Sequence, residues 1–336
     1  MTKNAPLVSI IIPNLNGAHH LPVCLESLRS QTWSPIEVIL VDNGSSDGSL
    51  DLLARDFPEV RVIALNENRG FAPACNIGMR AARGEIIALL NNDTEADVGW
   101  VANIVDTFGR YPRAGAVASK MLLFDRRDHF HTAGDFYRLD GTPGNRGVWQ
   151  KDEGQLDTEA LAFSANGGSA AYRRAMLDEI GLLDEAFFFS CEDVDLGWRA
   201  QLAGWPCIYN PRAIVYHKLS ATGGGTVNSF YDGRNFIYLV VKDYAWSLLR
   251  RYWRAVLRAQ WHITRDALRA WRGEAARARL RGQLAGLWGV PKMLRARRAV
   301  QRTRRVSNAE LLRVLAPPGD ASPEFPTAEA GLSDEG

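Results

Sequence analysis

The stretch Ile86-Ile87-Ala88-Leu89-Leu90-Asn91-Asn92-Asp93 constrains the fold more than any other part of this chain. Five apolar residues in a row, preceded by Gly84-Glu85 and closed by polar residues, predict a strand buried on both faces, as in a parallel sheet. Such a strand delivers Asn-Asn-Asp, with Glu95 and Asp97 just beyond, to the carboxyl edge of the sheet, where open α/β folds bind ligands. A carboxylate there is placed to hold a divalent cation, and through it a diphosphate. Asn and Asp are also ordinary caps and turn formers, so the segment alone leaves a plain strand-to-helix turn open.

The chain around this stretch repeats its logic. Apolar runs at 7–12, 36–41, 60–65 and 114–119 alternate with helical spacing at 21–28, 49–57, 71–82 and 98–111. Strand and helix alternating through short connections predict a right-handed α/β sheet, mostly parallel. Beyond Lys120 the period is lost. Residues 121–160 suggest loops and a hairpin, and Asn166-Gly167-Gly168-Ser169 a tight turn. Short helices are expected at 173–180 and 192–203, short strands at 206–209 and 213–217, and a nearly all-helical part from 230 to about 315. This divides the chain into an α/β unit (1–230), a basic amphipathic helical extension (231–315) and an acidic, Pro-rich tail (316–336) expected to be disordered.

Charge sharpens the division. Residues 242–313 carry 19 Lys/Arg against 4 Asp/Glu, whereas the 336-residue chain as a whole has a formal charge of only +2. An acidic front and a basic back imply two different partners. Four widely spaced cysteines, without metal-ligand spacing, predict reduced buried thiols of a cytosolic protein. The N-terminus runs into a strand without a signal-peptide core, and no apolar run reaches the length of a membrane span.

The ends of the first three strands suggest a nucleotide. Pro13-Asn14-Leu15-Asn16 leaves free backbone groups at the sheet edge, Asp42 can accept from a base N–H or ribose hydroxyl, and Asn68-Arg69 stands near a helix start suited to phosphate. There is no G-x-G-x-x-G after the first strand and no G-x-x-x-x-G-K-[ST], which counts against a dinucleotide-dependent dehydrogenase and a P-loop enzyme. A second chemical stretch, Phe187 to Arg199, leads three aromatics into Glu192-Asp193 at a helix start. Asp195 and Arg199, four apart, predict a helical ion pair. Glu192 and Asp193 fit either a preference for acids at helix starts or a general base. His217 ends a short strand and gains meaning as a ligand only if a carboxylate such as Asp93 converges on it.

Taken together, these motifs resemble the inverting family 2 glycosyltransferases of GT-A fold, over residues 7–240. Val41-Asp42-Asn43-Gly44-Ser45-Ser46-Asp47-Gly48-Ser49 is similar to the family's second-strand nucleotide motif, and Asn68-Arg69-Gly70-Phe71 with Asn76 to its third block. Leu89-Leu90-Asn91-Asn92-Asp93 sits where the family has its D-x-D, Glu192 to Arg199 resembles the acceptor-side E-D motif, and Tyr231, Arg234 and Asn235 resemble a rhamnosyltransferase-like branch. The resemblance implies a GT-A (nucleotide-diphospho-sugar transferase) fold with a C-terminal helical extension. It implies a donor site of Pro13, Asn14, Asn16, Asp42, Asn68, Arg69, Asn91 and Asn92, and a divalent metal (Mn²⁺ or Mg²⁺) on Asp93 and His217. Asp193 would be the general base of a single inverting displacement, with Gly167, Gly168, Glu192, Trp198, Arg199 and Arg234 on the acceptor side. The donor would be a dTDP-, UDP- or GDP-sugar, with rhamnose the sugar suggested by the branch, and the acceptor a glycan or lipid-linked sugar. One departure stands out: the first D-x-D position is Asn91, which removes one carboxylate from the metal site. A catalytically silent GT-A-like domain that binds glycan or organises a membrane assembly is the rival reading.

In the basic part, Trp246, Leu249, Trp253, Val256 and Leu257 follow spacings of three and four with arginines between them, and Trp261, Leu268, Trp271, Leu280, Leu284, Leu287 and Trp288 continue the pattern. Such faces suit helices lying on an anionic membrane, here the inner face of the cell membrane, better than nucleic acid. The same pattern also fits helices packed on the catalytic domain with solvated arginines.

Overall fold

The computed structural model describes residues 5–218, 225–321 and 323–333. The first four residues, read above as leading into the first strand without a signal segment, and the last three of the tail lie outside them. The chain opens with the expected alternation: β1 (Val8–Asn14), α1 (Leu21–Arg29), β2 (Ile36–Asp42), α2 (Ser49–Asp56), β3 (Arg61–Ala64), α3 (Phe71–Ala81) and β4 (Ile86–Leu90). The short β5 (Thr94–Ala96), α4 (Trp100–Arg110) and β6 (Ala116–Leu123) follow. Strands β1, β2 and β3 pair in parallel, and β1 also pairs in parallel with β4. All five residues of β4 are buried, as a strand covered on both faces requires.

Past β6 the chain makes β7 (Phe130–Ala133), the hairpin β8 (Asp135–Arg138) and β9 (Pro143–Asn145), then β10 (Ala160–Ala162) and β11 (Ser169–Arg173). Helices α5 (Arg174–Ile180) and α6 (Glu192–Ala203) precede β12 (Cys207–His217). The ten-stranded sheet has a main path β10-β12-β6-β11-β4-β1-β2-β3, with β5 on β12 and β7 on β6. Strand β11 runs antiparallel between β4 and β6, with Ser169 opposite Leu90. Two of the expected short strands are one: β12 runs through 207–217, with a register shift between Asn210 and Ile214 where Pro211 removes a ladder donor. Apolar layers cover both faces, one built on Ile10, Ile12 and Trp100, the other on Ile11, Leu89 and Tyr209. All four cysteines are buried and unpaired by disulfides.

The C-terminal part is helical: α7 (Thr226–Lys242), α8 (Trp246–Arg269), α9 (Glu274–Arg302) and α10 (Asn308–Val314). The boundary expected at 230/231 falls inside α7, so one helix runs from the α/β unit into the extension. Helices α7 and α9 approach closely because Gly282, Gly286 and Gly289 face α7; a side chain at Gly282 would strike the Phe230 carbonyl. The tail expected to be disordered has structure in its described residues. Strand β13 (Leu315–Ala316) pairs with β8, and α11 (Ala328–Ser333) follows Pro326, whose carbonyl accepts from the Leu161 N–H. Acidic, Pro-rich composition missed the apolar residues Ala316, Pro323 and Ala328, which are buried.

A buried ion cluster locks α7 to α6. The Lys242 ammonium reaches both Asp195 and Asp184, and Arg199 pairs with Asp195 at 2.9 Å. Asp195 is fully buried, and burial would raise its pKa; the Lys242 and Arg199 charges outweigh that and hold it lowered. Lys242→Ala leaves a buried carboxylate short of one counter-charge, so an unfolding titration should show a loss of about 3 kcal/mol. A loss within error of zero would show that Arg199 alone suffices.

Candidate functional site

Four strand ends converge on one cleft. At the end of β1 the Asn14 amide donates to Asp42 at 2.8 Å and to Ser45 at 3.2 Å, and its carbonyl accepts from Asn92 at 2.7 Å. Gly17 allows this: a Cβ there would collide with both Asn92 and Asn14. Ser45 donates through its backbone N–H and its hydroxyl to Asp42, at 2.9 and 2.6 Å. Asp42 is therefore 0% exposed, and its carboxylate shapes the 43–48 loop from within. Asn16, with φ +51°, accepts from the Ser46 N–H at 2.9 Å, and its own N–H donates to Ser45. Asn43, part of the second-strand motif but given no role from the sequence, joins the β2 and β3 loops by donating to Asn68 at 2.9 Å and accepting from the Arg69 N–H at 2.9 Å. The Arg69 side chain stands exposed beside them, and Pro13 sits half-buried at the floor.

The far side of the cleft is assembled by the sheet itself. His217 at the end of β12 pairs with Thr94 of β5, and the Lys218 N–H donates to the Asp93 carbonyl at 2.9 Å. This register sets His217 Nε2 at 3.1 Å from Asp93 Oδ1, across 124 residues of sequence. His217 Nδ1 lies 3.2 Å from Nδ1 of His131 on β7. Burial, followed by the neighbouring His217, pushes the His131 pKa down to about 3, so His131 stays neutral and its contact with His217 is one hydrogen bond that orients the second imidazole. His20 is also buried nearby, with its pKa lowered by burial and then by His19. Neither His20 nor His131 carried a sequence signal, because a lone histidine shows its partners only in three dimensions.

The turn Asn166–Ser169 joins the two halves. The Asn91 N–H donates to the Gly168 carbonyl at 3.0 Å, while the Gly167 N–H donates to Asp193 Oδ2 at 2.8 Å. Because β11 lies beside β4, the turn that precedes it holds Asp193 next to the end of β4. Asp193 Oδ1 also accepts from the Val194 N–H at 2.8 Å, yet burial dominates and raises its pKa. Glu192 is more deeply placed, 5% exposed, with Oε2 lacking a partner; burial and then the Asp193 charge push it up to about 8. Asp135, 3% exposed, is likewise raised by burial and by Asp193, and accepts from Asn145 at 2.9 Å.

The loop before Asp193 is strained. Phe188, Ser190 and Cys191 all have φ between +61° and +67°, a region costly for side chains of this size. Asn235 holds the loop by donating to the carbonyls of Phe187, Phe189 and Ser190 at 3.2, 3.0 and 2.6 Å. Arg234 donates to the Ala186 and Phe187 carbonyls, and Tyr231 stacks on Phe188 at 5.3 Å. Gly70, at φ +95°, lets the Phe188 ring close over the β3 loop.

Three residues expected on the acceptor side are thus elsewhere. Trp198 is 0% exposed, edge-on to Tyr137 and Phe163 at 5.0 Å, because it lies on the inward face of α6. Arg199 spends its guanidinium on Asp195 and on the carbonyls of Ile180, Gly181 and Leu182. Arg234 clamps a loop. Asn235→Ala removes the amide NH2 group that three loop carbonyls share and should cost about 1–3 kcal/mol. It should also lower turnover by releasing the loop, checked by thermal unfolding alongside steady-state rates; unchanged rates would separate the loop from the chemistry.

Asp93 and His217 supply one carboxylate and one imidazole, and among the described residues no group of three or more His, Cys, Asp or Glu could hold a metal. Two protein donors fit a cation whose remaining positions are filled by substrate phosphates and water.

Comparisons with known proteins agree with this architecture. The model of "Glycosyl transferase family 2" matches residues 9–181, just over half of the chain. The N-acetylglucosaminyl-diphospho-decaprenol L-rhamnosyltransferase of Mycobacterium tuberculosis is 28% identical over 285 residues, covering 77% of this chain and 89% of that protein. The PGL/p-HBAD biosynthesis glycosyltransferase of Mycobacterium bovis is 34% identical over 245 residues, covering 68% and 82%. Among solved structures, the mannosyltransferase PcManGT of Pyrobaculum calidifontis, in complex with GDP-Man and Mn²⁺, superimposes with a TM-score of 0.53 at 18% identity, covering 92% of this chain and 79% of that one. GalNAc-T7 with UDP, GalNAc and Mn²⁺ superimposes with a TM-score of 0.58, also at 18% identity, over 71% of this chain and 48% of that one. The central sheet and its helices form a GT-A fold, followed by a C-terminal helical extension, and the chain belongs to glycosyl transferase family 2.

Proposed function

We propose that this protein moves a sugar from a nucleoside-diphosphate donor to an acceptor hydroxyl in a single inverting displacement, with Asp193 as the general base. The observation that carries the reading is the Asn166–Ser169 turn, hydrogen-bonded at once to Asn91 beside the donor strands and to Asp193. A base must stand within reach of the acceptor proton while the acceptor faces the anomeric carbon, and this turn keeps both halves of that geometry in one frame. Asp193 is better suited than Glu192. Burial raises Asp193 above the ordinary aspartate range, whereas Glu192 is more deeply enclosed and holds its proton up to about pH 8.

Asp93 and His217 would hold a divalent metal, Mn²⁺ or Mg²⁺, which when bound stabilises charge on the departing diphosphate. Asn91 and Asn92 would flank it, with Asn14, Asn16, Asn68 and Arg69 around the nucleotide. Asp42 would act by holding Ser45 and Asn14 in place, since its carboxylate is sealed beneath them. The M. tuberculosis relative, an N-acetylglucosaminyl-diphospho-decaprenol L-rhamnosyltransferase, supports an L-rhamnosyl donor and a lipid-linked acceptor as the finer proposal. Such an acceptor would place the enzyme at the inner face of the cell membrane. Among the described residues no helix is long and apolar enough to cross a membrane.

Donor-dependent release of nucleoside diphosphate, screened over UDP-, dTDP- and GDP-sugars with Mn²⁺ or Mg²⁺, tests the reading. Release with one donor family supports it. Donor binding without release under every acceptor condition would favour a silent glycan-binding scaffold.

A further inference from the structure

Helices α8 and α9 form an antiparallel hairpin: Trp246 meets Arg297 at one end, and Thr264 meets Gln283 nearer the turn. Only part of the apolar pattern of α8 is used inside the protein. Leu248 and Val256 are buried, whereas Trp246, Trp253, Leu257, Trp261, Leu268 and Trp271 are each about half exposed or more. At 3.6 residues per turn these six positions, the last just past the helix end, fall within an arc of about 80°. They make one continuous stripe. On α9, Leu284, Leu287 and Trp288 are exposed too, Trp288 at 89%. The two helices carry fourteen Lys/Arg, with Asp266 and Glu274 their only acids.

We propose that this outward stripe is a docking surface for an anionic lipid bilayer, with α8 lying in the headgroup plane. The stripe supplies Trp and Leu at the depth of the acyl boundary, and Arg250, Arg254, Arg258 and Arg265 project from it or from one flank of the same wheel. Charge decides between occupants. A second copy docking face to face would bring the arginine flank against its own image, and like charges would oppose the apolar contact. A bilayer rich in acidic lipids meets both features at once.

The surface is also wired to the candidate site. Arg279 of α9 pairs with Asp232 at 3.1 Å, and Asp232 accepts from Ser190 at 2.7 Å, within the loop that leads into Asp193. A bilayer-bound hairpin would therefore stand two polar contacts from the loop before Asp193. Only this functional meaning rests on the transferase reading; the docking surface stands without it.

The test is co-sedimentation of the full-length protein with phosphatidylcholine vesicles containing phosphatidylglycerol, compared with phosphatidylcholine alone, and tryptophan quenching by brominated lipid in the same mixtures. The wild type should sediment with the anionic vesicles and be quenched. The triple variant Trp253→Ser, Leu257→Ser, Trp261→Ser should partition at least about tenfold more weakly. The triple variant Arg250→Glu, Arg254→Glu, Arg258→Glu should lose the preference for anionic lipid. These side chains are exposed, so thermal unfolding should stay at the wild-type midpoint, and nucleoside-diphosphate release without vesicles should be unchanged. Wild-type sedimentation independent of phosphatidylglycerol, or a serine variant that binds like the wild type, would overturn the proposal. So would a wild-type dimer in light scattering that ignores vesicles and falls apart in the serine variant. Failure of diphosphate release in every form would instead count against the transferase reading.

Discussion

Asp193→Asn should lower kcat by about 10²–10⁴ while leaving donor affinity within about twofold of wild type, since a base acts on the acceptor proton and not on the nucleotide. The asparagine keeps the shape, and its carbonyl can still accept from Gly167 or Val194, so the fold should persist. Rapid-quench turnover and donor titration separate the two quantities. Wild-type activity should rise with pH through a value above the ordinary aspartate range, because burial raises the Asp193 pKa and only the ionised form takes a proton. Glu192→Gln is the companion variant. It should keep most of the activity and change the pH dependence of stability. Glu192 holds its proton up to about 8 in the folded protein but only to about 4.5 when unfolded, so its contribution is full below the lower value and is lost as pH rises to the upper one. The glutamine variant should lack that loss, seen as a flatter melting temperature between these limits. If Glu192→Gln were the dead variant and Asp193→Asn the active one, the base would have been assigned to the wrong neighbour.

Asp93→Asn should produce the second large effect. With Asn91 in place of an acid, Asp93 is the one carboxylate of the pair it forms with His217. Its removal should abolish the difference between donor titrations with and without Mn²⁺, and lower kcat/KM by about 10²–10³, the range expected when a charge-stabilising group at a leaving group is lost. His217→Ala should be milder, about 10–100-fold, as for one neutral ligand or its support. A donor titration that still responds fully to Mn²⁺ in Asp93→Asn would place the metal elsewhere.

The two variants differ in how visible their residues were beforehand. Asp93 follows five apolar residues, and that run can be little other than a buried strand, so its position at the sheet edge was legible. Asp193 sits at a helix start beside another acid, and local sequence has no means of ranking two adjacent carboxylates. Burial ranks them: one faces the Gly167 turn, and the other is enclosed beside it. Trp198 and Arg199 share the motif with Asp193, yet α6 is buried around nearly its whole circumference, so proximity in sequence did not put them in the cleft. The Asp195–Arg199 ion pair, expected from a four-residue helical spacing, is present at 2.9 Å.

The sequence by itself determined the alternation of strand and helix, the carboxyl edge where polar residues collect, and the separation of an acidic front from a basic back. These are consequences of short-range periodicity and composition, which a linear reading captures. Only the tertiary structure decided which polar residues meet. Strand β11 runs backwards between β4 and β6 and brings Gly167 to Asp193; the register shift in β12 carries His217 to Asp93. The same holds for α8, whose apolar positions look alike in sequence until packing buries Leu248 and Val256 and leaves Trp253, Leu257 and Trp261 outside. Contacts across a hundred or more residues depend on pairing order and register, and neither is written in the spacing of any one segment.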